Sequence, residues 1–270
     1  MNSSSSPNIN QLFNINVLGN GDQAMVFAHG YGCDQNMFRF LYPYFEKEYK
    51  IILFDYVGAG NSDITAYSHE KYSSLDAYAE DLITVCNHLD LTDVIFVGHS
   101  VSAMIGVLAS NKAPSLFSKM ILIGPSPRYI NDTNYKGGFD ETAIQELLET
   151  LDSNYLGWST TMAPMIMRNN DRPELGEELS TSFCSTDPEI AKNFARATFL
   201  SDNREDLKLV TVPCLVIQSK KDIIAPIEVG TFTANALKYG SLKILNSTGH
   251  CPNLSAPEET AKAIQKFLYL

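Results

Sequence analysis

Apolar runs of strand length recur along the chain near residues 50–55, 93–98, 119–124, 213–218 and 241–245, and stretches with helical periodicity separate several of them. Leu75, Tyr78, Ala79, Leu82, Ile83, Cys86 and Leu89 follow the i, i+3, i+4, i+7 spacing of a helix with one apolar face. That spacing leaves Asp76, Glu80 and Asp81 for solvent or the helix start. Apolar strands alternating with such helices specify an α/β fold, a mostly parallel sheet flanked by helices. Two further runs near 12–17 and 23–28, divided by Gly19-Asn20-Gly21-Asp22, predict a β-hairpin.

From about residue 129 to 200 the strand pattern stops. Four helix-length segments, near 140–152, 154–167, 173–184 and 187–200, take its place. The chain therefore divides into a first core segment at 1–128, a four-helix cap insertion at 129–200 and a second core segment at 201–270. No stretch reaches the roughly 20 apolar residues of a membrane span. The Ser-rich start at 1–7 has neither the basic nor the apolar region of a signal peptide and reads as a loose tail, which makes a cytoplasmic location the expectation.

The chemistry is concentrated at predicted strand ends. Gly98-His99-Ser100-Val101-Ser102 follows the apolar run Val94-Ile95-Phe96-Val97, the pattern of a strand turning sharply into a helix with a nucleophilic serine at the apex. Ser102 stands where the usual motif has a second glycine, and it is small enough to let helix and strand approach closely. In such elbows the order along the chain is serine, acid, histidine. His250 is the one histidine of five downstream of Ser100, and it lies in a loop after the run Leu242-Lys243-Ile244-Leu245. Asp222 follows the run Cys214-Leu215-Val216-Ile217-Gln218 and supplies the acid. Ala24-Met25-Val26-Phe27-Ala28 leads into His29-Gly30-Tyr31-Gly32, whose glycines let the backbone fold close to a substrate. The backbone N–H groups of Tyr31 and Val101 are thus the candidate oxyanion hole. His29 and His99 flank the site without metal-binding spacing, and His99 is read as part of the substrate pocket.

These segments together resemble an α/β hydrolase and, within that fold, the RsbQ stress-regulator group and its plant relatives, the karrikin and strigolactone receptors. The resemblance is carried by residues 29–35, 54–63 and 98–102, by Pro127-Arg128-Tyr129-Ile130-Asn131-Asp132, by Tyr135-Lys136-Gly137-Gly138-Phe139 and by Val212-Pro213-Cys214. It implies that the helical insertion forms a lid over the elbow. Apolar residues on the underside of a lid would exclude water from the site, and Tyr129, Leu147, Trp158, Met162, Leu179 and Phe199 are the candidates, joined by Ile223 from the core. One departure is Tyr31, which stands where that group often has phenylalanine and adds a hydroxyl at the pocket mouth.

Composition narrows the partners. With 44% hydrophobic residues in 270, the chain can bury a substantial core. A net charge of -11 with no clustered Lys or Arg disfavours nucleic acid. The five cysteines include no C-x-x-C pair and read as reduced, buried small hydrophobes; Cys251, beside His250, lacks an elbow and is assigned to packing. Neither Gly30-Tyr31-Gly32 nor Gly58-Ala59-Gly60 extends to G-x-G-x-x-G, so no dinucleotide, and no other cofactor, is expected. The residues therefore point to a serine hydrolase cleaving an ester or lactone of a small hydrophobic molecule with a carbonyl group. The resemblance implies a second use of the same triad, as a small-molecule sensor signalling to a protein, which for the RsbQ group is a phosphatase carrying a PAS domain.

Overall fold

Strands without polar positions can sit only where both sheet faces are covered. A computed structural model describes residues 8–269 of the chain, and the Ser-rich start lies outside the described residues. The strands are β1 (Asn16–Leu18), β2 (Ala24–Ala28), β3 (Lys50–Leu53), β4 (Val94–His99), β5 (Phe117–Ile123), β6 (Cys214–Lys221) and β7 (Gly240–Thr248). They form one sheet in the order β1-β3-β2-β4-β5-β6-β7. Every neighbouring pair is parallel except β1 and β3. The central strands β2 and β4 are buried throughout, whereas the edge strand β1 is exposed along its length.

Alternation along the strands divides the core in two. Val26 and Phe96 face helices α2 (Leu75–His88) and α3 (Val101–Lys112), together with Ala234 of α7 (Ile227–Ala236). Met25, Phe27 and Val97 face the opposite way, in a cluster that includes Leu254 of α8 (Pro252–Ser255) and Ile264 of α9 (Pro257–Leu268). The chain enters through a short helix, α1 (Ile9–Leu12), capped by the Asn8 side chain. β2 and β4 lie side by side at the point where strand order reverses. In such sheets, the carboxyl ends of the strands there form the usual place for a ligand.

Two expectations are corrected. β1 and β2 do not form a hairpin, because β3 lies between them. The intervening Gly19-Asn20-Gly21 crosses the chain leading into β3 instead of making a tight turn. A Cβ at Gly19, where φ is +79°, would lie 2.3 Å from the Tyr49 carbonyl oxygen, and one at Gly21 would lie 2.0 Å from that of Glu48. The glycines serve that close crossing. Asp81, placed on the solvent side by helix spacing, is buried at 3% exposure. It accepts hydrogen bonds from Lys71 Nζ at 2.8 Å and the Tyr72 hydroxyl at 2.7 Å, so a neighbouring turn covers and satisfies it.

Between β5 and β6 the chain is helical: α4 (Glu141–Met167), α5 (Pro173–Ser185) and α6 (Pro188–Phe199). α4 bends at Asn154, where φ/ψ leave the helical region and the Asn154 side chain accepts from Gly157 N–H at 3.0 Å. Proline at the first position starts α5 and α6, and the Asp187 side chain caps α6.

Asp55, just beyond β3, joins three loops at this end of the sheet. Its carboxylate is 1% exposed and accepts from Gln35 N–H at 2.9 Å, Asn14 Nδ2 at 2.7 Å and Asn61 N–H at 3.0 Å. Asp55→Ala strands these donors and is expected to cost about 3 kcal/mol of unfolding free energy. Urea denaturation would register this as a lower midpoint at unchanged slope; a midpoint within error of the parent would show that the loops do not depend on this carboxylate.

Candidate active site

A serine at the apex of a strand-to-helix turn must adopt a backbone conformation that side chains avoid. Ser100 does so, with φ +56° and ψ −121° between β4 and α3, and its N–H is held by the Ile123 carbonyl of β5 at 2.8 Å. Ser102 is fully buried. Its hydroxyl donates to the His29 carbonyl at the end of β2 and lies 3.1 Å from the Tyr56 hydroxyl. The serine in place of the second glycine therefore ties the elbow helix to the neighbouring loop as well as fitting beside it.

His250 reaches Ser100 from a loop held by backbone contacts. β7 ends at Thr248, and Gly249 turns the chain at φ +87°, where a Cβ would lie 1.9 Å from the Met167 carbonyl oxygen. Gly249 N–H donates to the Lys221 carbonyl at 2.7 Å and His250 N–H to the Ile166 carbonyl at 2.9 Å. Ile166 lies in the last turn of α4, whose carbonyls have no partner within the helix. Thus the helical insertion and the end of β6 jointly hold the histidine.

The three side chains meet. His250 Nε2 is 2.7 Å from Ser100 Oγ, and His250 Nδ1 is 2.7 Å from Asp222 Oδ2. The carboxylate accepts at Nδ1–H, so Nε2 carries the lone pair facing the serine hydroxyl. Asp222 Oδ1 accepts from Ile224 N–H at 2.8 Å and Ala225 N–H at 3.1 Å, and Gln218 Nε2 approaches Oδ2 at 3.3 Å. Burial alone would raise the Asp222 pKa. The adjacent His250 ring and the two backbone N–H groups outweigh it and hold the carboxyl below the usual carboxylate range. Val101 follows Ser100 at the start of α3 and Tyr31 lines the same cavity as Ser100, and neither backbone N–H donates to a protein group among the described residues.

Ser100 and His250 open on a cavity of about 300 Å³. Tyr31, His99, Tyr129, Leu147, Trp158, Met162, Leu179, Phe199 and Ile223 all line it. The Tyr31 hydroxyl does not stand at the mouth; it donates to the Ala191 carbonyl of α6 at 3.1 Å while the ring packs against Trp158 and Phe183. Phe183, Ile166, Thr198, Cys33 and Cys251 also line the cavity and were not foreseen. Phe183 and Ile166 sit four residues after Leu179 and Met162, so the helical repeat could have found them. The thiols carry no such signal. Burial pushes Cys33 up to about 12 and also raises Cys251 well above its ordinary value, with Cys33, Asp222 and Glu178 nearby adding to the effect on Cys251, so neither is a ready thiolate.

The flanking histidines are engaged by the backbone. His29 Nδ1 donates to the Gly30 carbonyl at 3.0 Å and Nε2 accepts from Tyr56 N–H at 3.2 Å. His99 Nε2 donates to the His250 carbonyl at 2.8 Å. No helix among the described residues is long and apolar enough to cross a membrane.

Sheet order, elbow and strand-end triad define a class, and comparison with known proteins agrees: the family model described as alpha/beta hydrolase fold matches residues 23–257, and the chain belongs to that family. Among curated proteins it is similar to strigolactone esterase RMS3 of Pisum sativum, 40% identical over 94% of this chain and 95% of that one. It is likewise similar to karrikin insensitive 2 receptor CA of Petunia hybrida, 36% identical over 97% of both chains. Among solved structures, a hydrolase from Oleispira antarctica superimposes with a TM-score of 0.94 at 40% identity, covering 97% of this chain and 96% of that one.

Burial foremost, then repulsion from His250, push the His99 pKa from 6.5 to about 3. The folded protein thus binds fewer protons here than the unfolded chain between about pH 3 and 6.5, so acidification through that window destabilises it. Denaturation across this range should show a steeper loss of stability for the parent than for His99→Gln. Equal slopes would remove His99 as the cause.

Proposed function

We propose that the protein is a serine hydrolase of small, mainly apolar esters or lactones. His250 takes the proton of Ser100 as Oγ attacks the carbonyl carbon, and Asp222 holds the imidazole tautomer and stabilises its protonated form. The backbone N–H groups of Tyr31 and Val101 receive the oxyanion of the tetrahedral intermediate. Collapse expels the alcohol, protonated by His250, and water activated by the same histidine releases the acid. The observation carrying this reading is the continuous relay from Asp222 to Ser100, with 2.7 Å at each link, opening on an apolar cavity. The name of the Pisum sativum relative, an esterase, supports the same chemistry.

Residues 129–200 serve as the lid in this proposal. α5 and α6 are tied to the core by the bidentate Arg39–Glu178 pair, at 2.6 and 2.7 Å, and by the Tyr31 contact to Ala191. Water excluded beneath them strengthens the electrostatics of the relay.

A second reading is favoured by the Petunia hybrida relative, whose name is that of a receptor. Here the triad serves perception, and the lid signals to a protein partner, a PAS-domain phosphatase if the RsbQ likeness extends that far, in a cytoplasmic stress response. Rapid turnover of a small ester selects the enzyme. Slow turnover with ligand-dependent partner binding selects the sensor.

A fluorophosphonate should label the parent and leave Ser100→Ala unlabelled, and Ser100→Ala should lose hydrolysis of p-nitrophenyl butyrate. Asp222→Asn should lower turnover about 10⁴-fold at neutral pH, by analogy with other triads. Parent-like rates in Ser100→Ala would end the assignment.

A further inference from the structure

Alternation along β6 puts Cys214, Val216 and Gln218 on one face of the strand, and the first two belong to the apolar core that includes Ala234 of α7. Gln218 is just as buried, at 0% exposure, yet it is polar, and its Oε1 has no hydrogen-bond partner among the described residues. Methionine would fill the same place without the penalty of an unpaired carbonyl oxygen, so packing does not account for a glutamine here. What the glutamine adds is a pair of N–H groups.

Both of them turn to the loop that carries the acid. Gln218 Nε2 donates to the Ala225 carbonyl at 2.5 Å and to Asp222 Oδ2 at 3.3 Å. Exchanging the amide's nitrogen and oxygen would set Oε1 against a carbonyl and a carboxylate, so these two acceptors fix its orientation. Gly230 of α7 leaves room for the amide, since a Cβ there would lie 2.9 Å from Oε1. A carboxylate has about four lone-pair sites. Asp222 fills them with Ile224 and Ala225 N–H at Oδ1 and with His250 Nδ1–H and Gln218 Nε2–H at Oδ2. Gln218 thus shares with the histidine the oxygen that the relay uses.

We propose that Gln218 is a positioning residue of the triad, holding the Asp222 carboxylate in the rotation that keeps Oδ2 on His250 Nδ1. It acts through Asp222 alone, because it lies outside the lining of the cavity. The word triad rests on the hydrolase reading; the brace on the carboxylate does not. Without the amide the carboxylate keeps its two backbone donors at Oδ1 but is free to turn about them. Oδ2 then drifts from the imidazole, which loses part of the hold on its tautomer and orientation.

The test reads the relay before any turnover. Gln218→Met should react with a fluorophosphonate about tenfold more slowly than the parent, the worth of one buried hydrogen bond. Its KM for p-nitrophenyl butyrate should stay within about twofold, since no cavity contact is altered. In an Asp222→Ala background the same substitution should change the labelling rate by less than about twofold, because the group it acts through is gone. Gln218→Glu keeps the shape, puts a second carboxylate where the donor was and should slow labelling at least as much, which carries the test if the methionine variant does not fold. In both Gln218 variants the downfield proton resonance of His250 Nδ1–H should move upfield. That signal reports the Asp222–His250 bond even if Ser100 proves unreactive, a result that would end the hydrolase reading and leave this one to be decided by the resonance. In a folded variant, an unmoved resonance, a parent-like labelling rate at a reactive Ser100, or equal slowing with and without Asp222 overturns the proposal.

Discussion

The hydrogen bond from His250 N–H to the Ile166 carbonyl is the contact on which the site's geometry depends. An imidazole must meet a hydroxyl and a carboxylate at once, and its side chain has only two rotatable bonds for doing so. Its backbone must therefore be placed first. The free carbonyls at the end of α4 and the close approach of Gly249 to Met167 do this, so α4 helps place the histidine of the candidate triad.

Conformational strain is paired with support in the same region. Ser100 holds a left-handed backbone that the elbow requires, and bonds from Ile123 and through Ser102 to His29 hold the turn in that conformation. Asp222 remains charged in a buried position because two backbone N–H groups and the imidazole take the place of water. His99 is treated oppositely, since burial and repulsion from His250 outweigh the attraction of the Asp222 charge and leave its ring neutral. Two histidines with ring centroids 5.1 Å apart thus have different environments, set by which of them meets Asp222.

Much of the fold was legible because parallel strands buried on both faces appear as unbroken apolar runs, and the covering helices show one apolar stripe. β4, β5 and β6 fall where those runs are, and the break between the first two cap segments coincides with the bend at Asn154. The hairpin reading failed because a Gly-Asn-Gly segment satisfies a tight turn and a close chain crossing equally well, and local sequence does not say which backbone lies underneath. Asp81 was misplaced for a related reason: helix spacing gives its angle around α2, not the turn that carries Lys71 and Tyr72 over it.

By itself the sequence determined the order of elements and the placing of Ser100, Asp222 and His250 at strand ends, because periodicity and turn chemistry are local properties of neighbouring residues. Only the tertiary structure decided that these ends converge within hydrogen-bond reach, that Tyr31 gives its hydroxyl to α6, and that Thr198 and the Cys33 and Cys251 thiols border the cavity. Those facts depend on contacts between segments far apart in the chain. Such contacts are set by how helices of particular size and bend pack onto one sheet edge, and no local pattern records that.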